Sequence, residues 1–90
     1  MDYDYRKEKK ILLVDDEKEL LNMVQGILLG NGYTQIRTAG TVRQALKICR
    51  DWKPDLAVLD VMLPDGNGFD LLKELRTFSD FPVLFLTAKG

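Results

Sequence analysis

Short β-favouring runs alternate with amphipathic stretches along the chain. Ile11-Leu12-Leu13-Val14 is apolar without alternation, the pattern of a strand buried on both faces of a parallel sheet, and it stops at Asp15-Asp16. From Glu17 to Leu29, the apolar residues Leu20, Val24, Ile27 and Leu28 recur at helical spacing. Acids fill the first turn of that stretch and Gly30-Asn31-Gly32 supplies a stop, so the spacing predicts an amphipathic helix, slightly weakened by Gly26. Tyr33 to Thr38 reads as a half-exposed strand. Thr41 is an N-cap for a helix with Val42, Ala45, Leu46 and Cys49 along one face, which makes Cys49 core filler. Pro54-Asp55 turns the chain into a third buried strand, Leu56-Ala57-Val58-Leu59. Gly68 to Phe78 returns to helix with Phe69, Leu72 and Leu75 inward, and after Pro82 a fourth buried strand, Val83-Leu84-Phe85-Leu86, leads into Thr87-Ala88-Lys89-Gly90.

The predicted order, βαβαβαβ, is that of an α/β fold: a parallel sheet with helices on both faces and right-handed crossovers. Ligand sites in such open sheets lie beyond the carboxyl ends of the strands, where the strand order reverses. Those ends carry Asp15-Asp16 after the first strand, Thr38-Ala39-Gly40 after the second, Asp60 in Leu59-Asp60-Val61 after the third and Thr87 after the fourth. Pro64 and Gly66 shape the turn that follows Asp60, and Asp65 reads as a turn residue.

Composition narrows the chemistry. Ninety residues, 46% hydrophobic and 30% charged, fit one small domain. With 13 basic and 14 acidic residues the net charge is −1, which gives no general attraction to nucleic acid or membrane. Residues 1–9 read as a polar tail without an apolar signal core, and Cys49 has no partner for an internal disulfide, so the expected compartment is the cytoplasm. Without histidine, and with that lone cysteine, a zinc site is excluded; a metal would be held by oxygen, which points to magnesium or calcium.

An isolated acid after a strand often does no more than cap the next helix, and Asp16 or Glu17 could do so here. Three converging carboxylates differ: at ~4 Å and an effective dielectric near 20, each pair repels by about 4 kcal/mol. Such a cluster calls for a cation. Magnesium takes a few carboxylate oxygens together with waters and phosphate oxygens, so the expected chemistry is on phosphate, with one carboxylate as nucleophile.

The segments ILLVDDEKELL, PDLAVLDVMLPDGNGFDLLKELR and FPVLFLTAKG resemble, in order and spacing, the receiver domain of bacterial two-component response regulators, over about Lys10 to Gly90. The resemblance implies a flavodoxin-like doubly wound sheet. It implies that Asp60 accepts a phosphoryl group from a phosphohistidine on a sensor histidine kinase. Asp15 and Asp16 match the acidic pair that holds Mg2+ together with Asp60, the backbone carbonyl of Met62 matches a further ligand, and Thr87 matches the switch hydroxyl. The wording LPDGNGFDLLKELR and LTAKG resembles members joined to a winged-helix DNA-binding domain, so transcription regulation would run through an output domain not in this chain.

A whole receiver continues through a further helix, strand and helix, with a lysine after that last strand; Lys89 stands too early to be that lysine and reads as solvent-facing. The expectation is therefore a partial receiver over 10–90, stabilised by self-association or strand exchange along Val83–Leu86. Two rivals are a non-phosphorylated docking module and a haloacid-dehalogenase-like phosphatase. The latter expects a second acid two residues past its nucleophile, where this chain has Met62.

Overall fold

The computed structural model of the chain describes residues 4–86. Its elements are β1 (Lys10–Val14), α1 (Lys18–Gly30), β2 (Gln35–Ala39), α2 (Val42–Trp52) and β3 (Leu56–Asp60), then β4 (Met62–Leu63), β5 (Gly66–Asn67), α3 (Gly68–Leu75) and β6 (Val83–Leu86). The long strands form one parallel sheet in the order β2-β1-β3-β6. The chain thus moves outward from β1 to β2 and then crosses to the other side of β1, so the strand order reverses between β1 and β3. Along the sheet, Val14 pairs with Ala39 on one side and Leu59 on the other, and Asp60 pairs with Leu86. The doubly wound α/β sheet expected from the hydrophobic pattern is the architecture found.

Alternation along the strands sorts the core onto two faces. On one face Leu12, Val14, Ala39, Ala57 and Leu59 pack with Ala45 and Cys49 of α2 and with Leu71 and Leu75 of α3. Leu12, Leu59 and Leu75 are fully buried, each contributing about 1.5–3 kcal/mol from area removed from water. On the other face Leu13, Val58 and Leu86 meet Leu20, Leu21 and Val24 of α1. That helix buries none of its residues fully, and Met23, Ile27 and Leu29 are exposed.

Several local expectations are corrected. Ile27 is exposed rather than inward, while Leu20, Leu21 and Val24 meet the sheet. The last helix ends at Leu75 rather than Phe78, and its inward residues are Leu71 and Leu75. Phe69 faces out and stacks its ring on Phe85 at 4.7 Å between centroids. The two-residue antiparallel pair β4–β5 lay within what read as a simple turn. Among residues 1–9, Tyr5–Lys7 form one 3-10 turn that is solvent-exposed yet docked: Arg6 Nη1 donates to the Asn31 carbonyl at 2.9 Å, and Gln35 Nε2 to that of Lys7 at 2.9 Å.

The amino ends of the strands are tied together separately. The Lys10 N–H donates to Asp55 Oδ2 at 2.9 Å and the Asp55 N–H to the Lys10 carbonyl at 2.8 Å, while Lys10 Nζ and the Arg37 guanidinium sit over the ring of Trp52. Among the described residues, no helix is long and apolar enough to cross a membrane.

Candidate functional site

At the opposite, carboxyl edge, β1 and β3 are hydrogen-bonded neighbours and both run directly into acids. Because Val14 pairs with Leu59, the residues that follow each of them, Asp15 and Asp60, emerge side by side. Asp16 joins them, and carboxylate oxygens of Asp15, Asp16 and Asp60 all lie within 4.8 Å of one another. The three acids singled out in the sequence are therefore brought together.

Their surroundings differ. Asp15 is 3% exposed, Asp60 is half-buried and Asp16 faces solvent. The Asp15 backbone N–H donates to the Ala39 carbonyl at 3.0 Å, and its Oδ1 accepts the Glu17 N–H at 2.9 Å, which fixes the side chain at the head of α1. Burial pushes the Asp15 carboxyl above its ordinary value; the Glu17 N–H opposes that, and the charges of Asp60 and Asp16 add to the rise. Glu17, the N-cap of α1, makes no side-chain capping bond, and of the three acids Asp15 is the one that meets the helix head, at the Glu17 N–H. A buried carboxylate crowded by two others is the donor set of a hard, oxygen-seeking divalent cation, and these residues fit Mg2+ in number and type.

The segment after Asp60 closes into a bracket. The Gly68 N–H donates to the Val61 carbonyl at 2.7 Å, β4 and β5 pair Met62 with Asn67, and Asn67 Oδ1 caps α3 by accepting the Asp70 N–H at 2.8 Å. Met62 heads this hairpin and is 76% exposed. Gly68 packs against the Asp60 main chain, where a Cβ would overlap the Asp60 carbonyl oxygen. Pro64, at the hairpin tip, lines a cleft with Asp15, Asp16, Gly40 and Gln44. Thr87 and Lys89 lie outside the described residues.

Two contributors escape the sequence. Asp65 is more than a turn residue: its Oδ1 accepts the Val42 N–H at 2.7 Å and its Oδ2 the Arg43 N–H at 3.1 Å, so it caps a helix 22 residues upstream. Asn67 had a readable signal, since an Asn three residues before an acid is a helix-start pattern.

The described geometry has close parallels among known proteins. The family model for "Response regulator receiver domain" matches residues 11–90. The regulatory protein VanRc of Enterococcus gallinarum is 48% identical over 83 residues, 91% of this chain and 35% of that protein. The alkaline phosphatase synthesis transcriptional regulatory protein PhoP of Bacillus subtilis is 49% identical over 82 residues, 90% of this chain and 34% of that protein. The chain thus spans about a third of the length of these relatives. Among solved structures, the MaeR response regulator bound to beryllium trifluoride superposes with a TM-score of 0.84 at 31% identity, covering 91% of this chain and 69% of that one. The non-phosphorylated HemR receiver domain from Leptospira biflexa gives a TM-score of 0.79 at 40% identity, covering 90% of this chain and 65% of that one.

Proposed function

The chain belongs to the response regulator receiver family, and from that premise we propose that it is a phosphoacceptor: Asp60 takes a phosphoryl group from a phosphohistidine on a sensor histidine kinase, with Mg2+ as cofactor. The observation that carries the proposal is the convergence of Asp15, Asp16 and Asp60 at the carboxyl ends of two adjacent strands. The β3 ladder up to Asp60 and the Gly68 contact hold the Asp60 backbone, leaving its carboxylate to act as nucleophile. One Asp60 oxygen forms a bond to phosphorus as the phosphorus–nitrogen bond breaks; the bonding pair returns to the imidazole, and Asp60 becomes an acyl phosphate. Asp15, Asp16 and Asp60 would hold the cation with the Met62 carbonyl, and the cation when bound supplies charge neutralisation for the transferred group. Thr87 would follow the phosphoryl oxygen as the switch hydroxyl and repack the surface beyond β6.

On this reading the chain is a signalling domain that assists its own phosphorylation and dephosphorylation rather than a metabolic enzyme, and it works in the cytoplasm. Control of transcription through a DNA-binding portion outside this chain is proposed by similarity to the relatives named for transcriptional regulation. Incubation with Mg2+ and acetyl phosphate, followed by intact-mass measurement, tests the assignment. The expected result is one hydroxylamine-labile phosphate adduct, missing from Asp60→Asn. No adduct in the parent chain would favour a docking module instead, and steady phosphate release from many esters would favour a phosphatase.

A second copy of the chain is the further partner proposed. Among the described residues β6 pairs on one side only, with β3, and Leu84 is 58% exposed. Such an edge invites strand addition. The weight-average mass in sedimentation should rise with concentration, and Leu84→Lys should suppress that rise. A concentration-independent monomer would refute self-association.

A further inference from the structure

The start of α2 is a joint between two parts of the acidic site. Its first N–H groups have no partner within the helix and must be satisfied from outside. Thr41 Oγ1 accepts the Gln44 N–H at 3.1 Å in the ordinary N-cap manner, but the Val42 and Arg43 N–H groups go to the two oxygens of Asp65. That carboxylate belongs to the tip of the β4–β5 hairpin. The next residue tightens the joint, because a Cβ on Gly66 would stand 3.2 Å from Val42 Cγ2. The Val42 N–H, helped by that of Arg43 and opposed by burial, holds the Asp65 carboxyl below its ordinary range, so the cap is charged at neutral pH.

The same helix end reaches the other wall of the site. Gln44 Oε1 accepts the Gly40 N–H at 2.8 Å, and Gly40 follows Ala39, whose carbonyl receives the Asp15 N–H. The hairpin is also held at its base, by the Gly68 N–H on the Val61 carbonyl and the short β4–β5 pairing, and by Leu63, which is buried in the core; among the described residues, Asp65 alone ties its tip to α2 by side-chain hydrogen bonds. Met62 lies between that base and the Asp65 tip. Pro64, beside Asp65, forms one wall of the cleft that Asp15, Asp16, Gly40 and Gln44 share.

We propose that Asp65 is a positioning residue for this site: by clamping the hairpin tip to the start of α2, it fixes the Met62 backbone relative to Asp15 and Asp16. The proposal rests on the reading of the three acids as a Mg2+ site. It separates two effects that a helix cap ordinarily combines, since Thr41 and Asp65 both stabilise α2 but only Asp65 touches the hairpin.

The test measures Mg2+ affinity by isothermal titration calorimetry for the parent chain, Asp65→Ala, Asp65→Asn and Thr41→Ala, with thermal melting of each. Loss of an outer group that orients a metal site commonly weakens binding by 10–100-fold, so Asp65→Ala should raise the Mg2+ dissociation constant by about tenfold. Asp65→Asn, which keeps one acceptor oxygen, should fall between that variant and the parent. Thr41→Ala should lower the melting temperature with less than about a twofold change in affinity, as expected for a helix cap whose side chain bonds within α2 and not to the hairpin. If Asp65→Ala does not fold, Asp65→Asn against Thr41→Ala carries the comparison. Equal losses of affinity in Asp65 and Thr41 variants of matched stability, or unchanged affinity in the Asp65 variants, would overturn the proposal while leaving the Mg2+ site standing. Failure of the parent chain to bind Mg2+ would remove both.

Discussion

Gly68 stands against the main chain of Asp60 so closely that a Cβ there would overlap the Asp60 carbonyl oxygen and come within 3.0 Å of the Phe85 ring. The first turn of α3 and the end of β3 therefore fit together only with a hydrogen at this position. Replacing Gly by Ala gains at most about 1 kcal/mol from backbone entropy and helix propensity. Forcing a methyl into a packed contact costs about 1–3 kcal/mol, and here the obstacle is backbone, which gives little. Gly68→Ala should therefore lower stability on balance and shift Asp60, visible as a lower melting temperature together with slower phosphorylation by acetyl phosphate. Unchanged values for both would show that the contact relaxes freely.

Crowding of the three acids should register in the absence of metal. At 4.8 Å or less and an effective dielectric near 20, each charged pair repels by about 3.5 kcal/mol or more before solvent screening reduces it. In metal-free, low-salt buffer, Asp15→Asn and Asp60→Asn should each melt above the parent chain, by roughly 4–8 °C for each kcal/mol relieved. Mg2+ at ten times its dissociation constant should stabilise the parent by about 1.4 kcal/mol and the variants less. Identical melting of all three chains, with and without Mg2+, would contradict the cluster.

Two acids should move stability with pH in opposite directions. The Asp65 carboxyl is depressed by the Val42 N–H, so its contribution is present above the ordinary carboxylate value of 3.8 and is lost as pH falls through its lower folded value. The Asp15 carboxyl is raised, chiefly by burial; the folded state therefore binds its proton more tightly, and stability falls as pH rises above 3.8 through the raised value. Melting curves of Asp65→Asn and Asp15→Asn against the parent across acidic pH would check both. The deficit of Asp65→Asn should shrink on acidification, whereas the advantage of Asp15→Asn in metal-free buffer should grow on moving toward neutrality. Parallel pH profiles for all three chains would refute both assignments.

Cys49 is 2% exposed in the α2 face of the core, and burial pushes its thiol up to about 11. Thiolate is the reactive form, so the folded chain should react with a disulfide reagent at neutral pH far more slowly than the denatured chain. Ellman's reagent with and without denaturant measures this directly. Rapid labelling under native conditions would mean that α2 opens locally.

The elements that positioned the acids were legible because strands of a parallel sheet write near-unbroken apolar runs, in β1 buried on both faces and in β3 buried on one and half-buried on the other. Asp15 and Asp60 are conspicuous where such runs end. Thr41 and Cys49 were readable for the same local reason: a cap before a periodic stretch, and a small apolar residue on its inward face. Asp65 was not readable, since its partners Val42 and Arg43 are 23 and 22 residues away and only the crossover of the sheet brings them together. The phase of α3 was misjudged because Phe69, Leu72 and Leu75 keep one helical spacing while Leu71 and Leu75 keep another. The burial of Gly68 against Asp60 selects the second and turns Phe69 toward Phe85.

The pairing of Val14 with Leu59 reaches beyond sheet cohesion. Neighbouring strands stand about 4.8 Å apart, close enough for acids that follow paired residues to share one pocket, and the oxygens of the three acids lie within 4.8 Å of one another. The peptide ladder thus acts as a ruler that places two charges, Asp15 and Asp60, one rung beyond its last apolar pair. One residue inserted within β3, between Ala57 and Asp60, would turn the third acid away from the α1 side, toward the face that α2 and α3 cover, and dissolve the cluster while leaving an apolar strand of nearly the same composition.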